Sequence, residues 1–251
     1  MVETEATAAV TPTIEDWTQT PWHTLERHVY RLQKRIYTAQ SRGNVKAVHS
    51  LQRLLMKSRA ARTLAVRRVT QDNQGKKTAG IDGIKSVGPL VRLLFVERLR
   101  HPHSIKAQPV RRVYIPKPGK DEKRALGIPT MLDRAHQALA KLVLEPQWEA
   151  RFEPNSYGFR PGRSCHDAIE AVFLNIRQQD KYVLDADIKG CFDHIDHAAL
   201  LAKMETTPAL HRATKAWLKV GIMEGEVFAP TTDGTPQGGV VTPPTIVQKR
   251  R

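Results

Sequence analysis

From Trp22 onward the apolar residues recur at helical spacing, with Trp22, Leu25, Val29, Leu32 and Ile36 on one stripe. Gly43 interrupts the pattern, and Val45, Val48, Leu51 and Leu55 begin a second helix expected to run towards Val69. Residues 71–83 (QDNQGKKTAGIDG) combine glycine and lysine and read as a loop, after which 87–99 returns to helical spacing. The run 110–115 (VRRVYI) is β-prone and is stopped by a turn at 116–119, with a return arm expected at 126–129. Asp133 is placed to cap a helix over 135–148, whose apolar face carries Leu139, Leu142 and Val143. A further helix is expected over 165–177, a strand over 182–188, and helix again over 198–220 with a break near Pro208. Residues 1–20 lack periodicity and are expected to form a mobile tail.

Charge sharpens this outline. Forty Lys and Arg oppose twenty-five Asp and Glu, a formal net charge of +15 with an isoelectric point near 10.1. Such an excess points to a polyanionic partner. It is concentrated early, since twelve Lys and Arg face one acid, Glu26, between positions 26 and 68. A solvated helix face usually mixes signs for pairing along the helix, so this imbalance favours a nucleic-acid-facing role. The two cysteines, Cys165 and Cys191, exclude a disulfide framework and a cysteine-built zinc site. No apolar run approaches the ~20 residues of a membrane span, and the acidic first twenty residues do not resemble a leader. A soluble, cytosolic protein with no membrane partner is expected.

Three stretches carry candidate chemistry. In 182–192 (YVLDADIKGCF) Asp185 and Asp187 stand two apart on an apolar run, hence on one face of a strand. Paired carboxylates there suit Mg²⁺, and pairing with nearby cations is the alternative. In 111–124 (RRVYIPKPGKDEKR) Lys117 and Arg124 flank a tight turn and are placed to close on a triphosphate, or to form an exposed basic hairpin. In 234–239 (GTPQGG) the glycines permit close approach of backbone to a nucleotide, although no Gly-Lys-Ser/Thr follows as in a phosphate loop.

The order of these stretches is more specific than any one of them. A basic hairpin ending in LGIPT, then NSYGFRPGRSCHDAI, DADIKGCFDHIDH and GTPQGG, resembles the group II intron reverse transcriptase/maturase proteins from about residue 22 to 243. The resemblance implies an α+β fold: the fingers and incomplete palm of a right-hand polymerase, preceded by a basic helical amino-terminal extension. The implied division is a tail at 1–20, the extension at 21–70, fingers at 71–165, partial palm at 166–243 and an off-family tail at 244–251.

Residue by residue, the resemblance makes Asp187 the catalytic carboxylate and a Mg²⁺ ligand, assisted by the Ile188 carbonyl. Phe192 matches the aromatic gate beneath the incoming sugar, Lys117 and Arg124 match the triphosphate-holding cations, and Gln237 lies in the nucleotide-pocket loop. Arg160 and Arg163 look like template or nucleotide contacts. Arg53, Lys57, Arg62 and Arg67 fall in the extension that grips RNA. The implied partners are group II intron RNA or an RNA template with DNA primer, deoxynucleoside triphosphates, and a companion chain completing the palm.

The pattern departs after GTPQGG. Family members continue with an apolar helix and a strand turn bearing adjacent aspartates, whereas this chain reads VVTPPTIVQKRR and contains no Asp-Asp dipeptide. A truncated reverse transcriptase, inactive alone, is therefore expected. The alternatives are a non-catalytic intron-RNA-binding module and an inert remnant of a frameshifted gene.

Overall fold

The computed structural model describes residues 14–116, 119 and 121–235. Lys117 and Gln237 therefore lie outside the described residues, as do 1–13 and 236–251. The first half is helical: α1 (Ile14–Thr18), α2 (Trp22–Ser41), α3 (Val45–Lys57), α4 (Arg59–Arg67) and α5 (Pro89–Arg98). α2, α3 and α4 pack round α6 (Met131–Glu149), with α5 against α4 and α1 against α5, and α6 is buried on nearly every side rather than along one stripe. Ile36, Leu55, Ala61, Ala65, Leu139, Leu144 and Trp148 form the dry centre of this cluster. Beyond it come α7 (Cys165–Ile176), α8 (His197–Lys203) and α9 (Pro208–Lys219).

The sheet is small and lies at one edge. β1 (Val110–Pro116) and β2 (Lys123–Ile128) form the expected hairpin, with Arg112 opposite Gly127, Tyr114 opposite Ala125 and Ile115 opposite Arg124. β3 (Ile222–Glu224) runs parallel to β1 and turns at Gly225 into β4 (Val227–Ala229), giving the order β2-β1-β3-β4. The described chain is thus α+β.

Several expectations are corrected. Residues 14–18 are helix rather than tail, because Trp17 is buried edge-on against Trp22 and its indole N–H donates to Gln71. The second helix stops at Ser58, whose hydroxyl accepts from the Ala61 N–H and starts α4 as a separate helix. Thr130, not Asp133, caps α6, its hydroxyl accepting from the Asp133 N–H. The Asp133 carboxylate accepts in turn from Thr130 Oγ1 and from the Gln108 N–H.

The largest correction concerns 182–188, which has no regular secondary structure and pairs with no strand among the described residues. A strand needs a neighbour to receive its backbone hydrogen bonds, and none lies there. Tyr182 and Leu184 are consequently 107% and 90% exposed. Helix α7 is equally bare, with Ile169, Val172 and Phe173 in solvent and no buried residue.

Candidate functional site: a cleft at the hairpin

The turn after 182–188 is tightly wound. Gly190 takes a positive φ of 62°, and its carbonyl accepts from the N–H groups of Asp193 and His194. Phe192 sits on this turn and is tied to the loop that opens the GTPQGG stretch. The Thr235 N–H donates to the Phe192 carbonyl at 2.7 Å, and the Gly234 N–H donates to the Ile195 carbonyl at 2.9 Å. His197, the first residue of α8, closes the arrangement through Nε2, 2.6 Å from the Gly234 carbonyl.

These bonds leave a cleft of about 330 Å³ between the turn, the 230–235 loop and the hairpin. Phe192, Asp193, Asp233 and Thr235 line it together with Arg112, Ala125 and Ile222. Its lining thus combines an aromatic residue and one arginine with two aspartates and several small or hydroxyl-bearing residues.

The expected site residues divide into those gathered here and those that are not. Phe192 is in the cleft. Arg124 is not, because it follows a strand register opposite Ile115 and so projects from the face of the ribbon away from Ala125 and Arg112. Arg112 is the cation that lines the cleft, and sequence reading missed it. The alternation in VRRVYI puts Arg112 and Tyr114 on one face, but only the parallel β1–β3 pairing brings Ile222 alongside β1, where both Arg112 and Ile222 line the cleft. Pairing of two short, distant segments leaves no local signal.

Asp187 and Asp185 are both exposed, and no described cation pairs with either. Asp187 Oδ1 accepts only the N–H of the following Ile188, at 2.8 Å. Among the described residues no three His, Cys, Asp or Glu side chains converge on a point. Two-metal chemistry needs several carboxylates to hold ions about 3.5–4 Å apart. The described residues do not fit that requirement.

The expected RNA contacts also divide. Arg53 and Lys57 are exposed on α3. Arg62 is buried and donates through Nη1 to the Val96 carbonyl at 2.9 Å, and burial holds its pKa below the ordinary value. Arg67 lies over the Trp22 ring at 4.5 Å and pairs with Glu26 and Asp72. Arg160 is buried too, with Nε and Nη2 on the Glu149 carboxylate. Its Nη1 donates to the carbonyls of Glu153 and Ser156. These three brace the protein itself, so they are corrected as free nucleic-acid contacts, whereas Arg163 is exposed.

The family described as reverse transcriptase (RNA-dependent DNA polymerase) matches residues 115–249, and the N-terminal domain of reverse transcriptase matches residues 17–99. The chain belongs to the reverse transcriptase family. Among its relatives is the group II intron-encoded protein LtrA of Lactococcus lactis subsp. cremoris, 39% identical over 139 residues, 54% of this chain and 23% of LtrA. Protein YkfC of Escherichia coli (strain K12) is 33% identical over 187 residues, 70% of this chain and 49% of YkfC. The chain thus spans from about a quarter to a half of these relatives. A solved partial Cas6-RT-Cas1--Cas2 complex aligns with a TM-score of 0.49 at 20% identity, over 78% of this chain and 33% of that one. No helix among the described residues is long and apolar enough to cross a membrane.

Proposed function

We propose that this chain supplies the nucleotide- and template-binding part of an RNA-directed DNA polymerase of the group II intron kind. The observation that carries the reading is the cleft lined by both Phe192 and Arg112, with the Gly234–Thr235 loop bonded to the turn that carries Phe192. In this reading the Phe192 ring lies beneath the incoming sugar and disfavours a 2′-hydroxyl by contact. Arg112 neutralises phosphate from the hairpin side, Arg124 adds charge towards the hairpin end, and Lys117 is assigned to the triphosphate on its motif alone. Deoxynucleoside triphosphates, an RNA template and a DNA primer are the corresponding substrates. The extension, fingers and palm divide near residues 70 and 165.

Reverse transcriptases use divalent ions, and Asp187 is the carboxylate we assign to that task. Among the described residues it stands without converging carboxylate partners. Synthesis in this reading requires a further carboxylate beside Asp187.

A second reading, an RNA-binding module without chemistry, is favoured by α2. Arg27, Tyr30, Arg31, Lys34 and Tyr37 are exposed and fall on one helical face, cations interleaved with rings that can stack on bases.

Primer extension separates the two. The purified 251-residue chain is expected to extend no DNA primer on an RNA template, and a chimera continuing after Pro243 into the palm of a relative is expected to do so. In that chimera Asp187→Asn abolishes synthesis, Asp185→Asn retains it, and Phe192→Ala admits ribonucleotides. A folded chimera that binds RNA but incorporates nothing supports the second reading.

A further inference from the structure

We propose that Gln52, on α3, is a positioning residue for the cleft: through a buried amide web and α8 it fixes where the Gly234–Thr235 loop stands beside Phe192. This rests on the polymerase reading above, which seats the nucleotide in that cleft, and it reaches a residue outside the cleft lining. Gln52 and Gln147 are 0% and 1% exposed, at positions where apolar side chains ordinarily pack. Buried amides cost stability unless they are hydrogen-bonded, and here the pairing converges on one turn. Gln52 Nε2 donates to Gln147 Oε1 at 2.6 Å, and Gln52 Oε1 accepts from the Thr206 hydroxyl at 3.1 Å. Gln147 Nε2 donates to the Glu205 carbonyl at 3.2 Å and to the Met204 carbonyl at 3.4 Å.

That turn, 204–207, joins α8 to α9, and its backbone is strained. Glu205 has φ +40°, in the left-handed region that a residue with a Cβ rarely adopts. Such a conformation persists only where its surroundings over-determine it. Besides Gln147, His49 Nε2 of α3 stands 3.1 Å from the Glu205 carbonyl, and Arg151 Nη2 donates to the Glu205 carboxylate at 2.6 Å. An apolar pair at 52 and 147 would fill the same core without gripping this turn. The other end of α8 is the cleft end. The Met204 N–H donates to the Leu200 carbonyl and the Leu200 N–H to that of Asp196, so helical backbone runs unbroken from the turn to His197. A helix of seven residues is about 10 Å long, and a shift at one end is carried to the other. His197 then holds the Gly234 carbonyl, and the N–H of the following Thr235 is the one bonded to Phe192.

The test is amide hydrogen exchange of the full chain, read at Thr235 without nucleotide. Gln52→Met keeps the length of the side chain and removes its amide. It is expected to speed Thr235 exchange about 10-fold, the factor that corresponds to one buried group left unpaired. In a His197→Phe background the link to Gly234 is already cut, so adding Gln52→Met is expected to change nothing further at Thr235. Ile36→Ala opens a cavity in the helical core, removes no hydrogen bond of the web, and is expected to lower the urea midpoint while leaving Thr235 protected. Thr206→Val removes the bond to Gln52 from a half-buried site and is expected to act in the same direction as Gln52→Met, which keeps the test decisive if the latter does not fold. Parent-like exchange in both Gln52→Met and Thr206→Val overturns the proposal. An equal gain on both His197 backgrounds, or in Ile36→Ala, overturns it too, because the effect then bypasses the histidine or reflects general loosening. None of these outcomes touches the polymerase reading, which stands or falls on primer extension by the chimera.

Discussion

His197 Nε2 lies 2.6 Å from the Gly234 carbonyl, joining the start of α8 to the loop that lines the cleft. A carbonyl only accepts, so the imidazole donates through Nε2, and Nδ1 is left buried without a described partner. His197→Phe removes this donor and strands a buried carbonyl. A loss of about 1–3 kcal/mol is expected in urea unfolding. Faster hydrogen exchange at the Gly234 and Thr235 amides should accompany it. Exchange unchanged at these amides would show that the loop holds without the histidine.

The cations sort by burial, and salt titrations of RNA binding should sort them in the same way. Arg53→Gln and Lys57→Gln, at exposed sites, are each expected to lower the slope of log affinity against log salt by about one while leaving stability alone. Arg160→Gln leaves Glu149 without its partner and is expected to cost about 3 kcal/mol of stability. Arg62→Gln leaves the Val96 carbonyl unpaired and falls in the same class. A reduced salt slope for Arg62→Gln in a folded protein would contradict this division.

Much of the helical half was readable in the chain because its periodicity is local. The stripe through Val29, Leu32 and Ile36 is the buried face of α2, and the hairpin followed from one β-prone run and a Pro-Gly turn. What was not readable depended on distant pairing or on burial of polar groups. The three-residue strands β3 and β4 are too short to leave an alternation, yet β3 pairs with β1 and its Ile222 lines the cleft with Arg112. Arg62 and Arg160 look like any other cation in a basic chain, and only tertiary packing makes them internal braces. Segment 182–188 shows the converse: its composition is that of a strand, and the partner that would make it one is missing from the described residues.

His136 gives the fold an acid-sensitive point. It is buried on α6, edge-on to Trp217 at 4.9 Å, and neither ring nitrogen has a partner among the described residues. Burial pushes its pKa down to about 4 from 6.5. The folded state then binds fewer protons than the unfolded one between these values, so stability is complete above pH 6.5 and falls as the pH drops towards 4. The span corresponds to about 3 kcal/mol. Burial moves Asp133 the other way, favouring its protonated form in the folded state and opposing the loss at the acid end. Urea midpoints of parent and His136→Phe at pH 4.5 and 7 isolate the histidine. The variant is expected to lose less stability between the two, and identical losses would exclude His136 as the cause.

The two glycines Gly43 and Gly234 separate backbone preference from close approach at the cleft. Both have positive φ, +67° and +74°. A Cβ on Gly43 would meet open space, so Gly43→Ala carries only the left-handed strain, about 1–2 kcal/mol. A Cβ on Gly234 would stand 2.6 Å from the Asp193 carbonyl oxygen and 2.8 Å from that of Phe192. Neither atom can yield as a flexible side chain would, because both belong to the turn that carries Phe192. Gly234→Ala must therefore push the loop off the turn, breaking the Thr235–Phe192 and His197–Gly234 hydrogen bonds together. It is expected to destabilise more than Gly43→Ala and to expose the Thr235 amide to exchange, with deoxynucleotide binding lost in the polymerising chimera. Equal costs for the two substitutions, with the Thr235 amide still protected, would mean that the loop does not need the close approach at Gly234 to build the cleft.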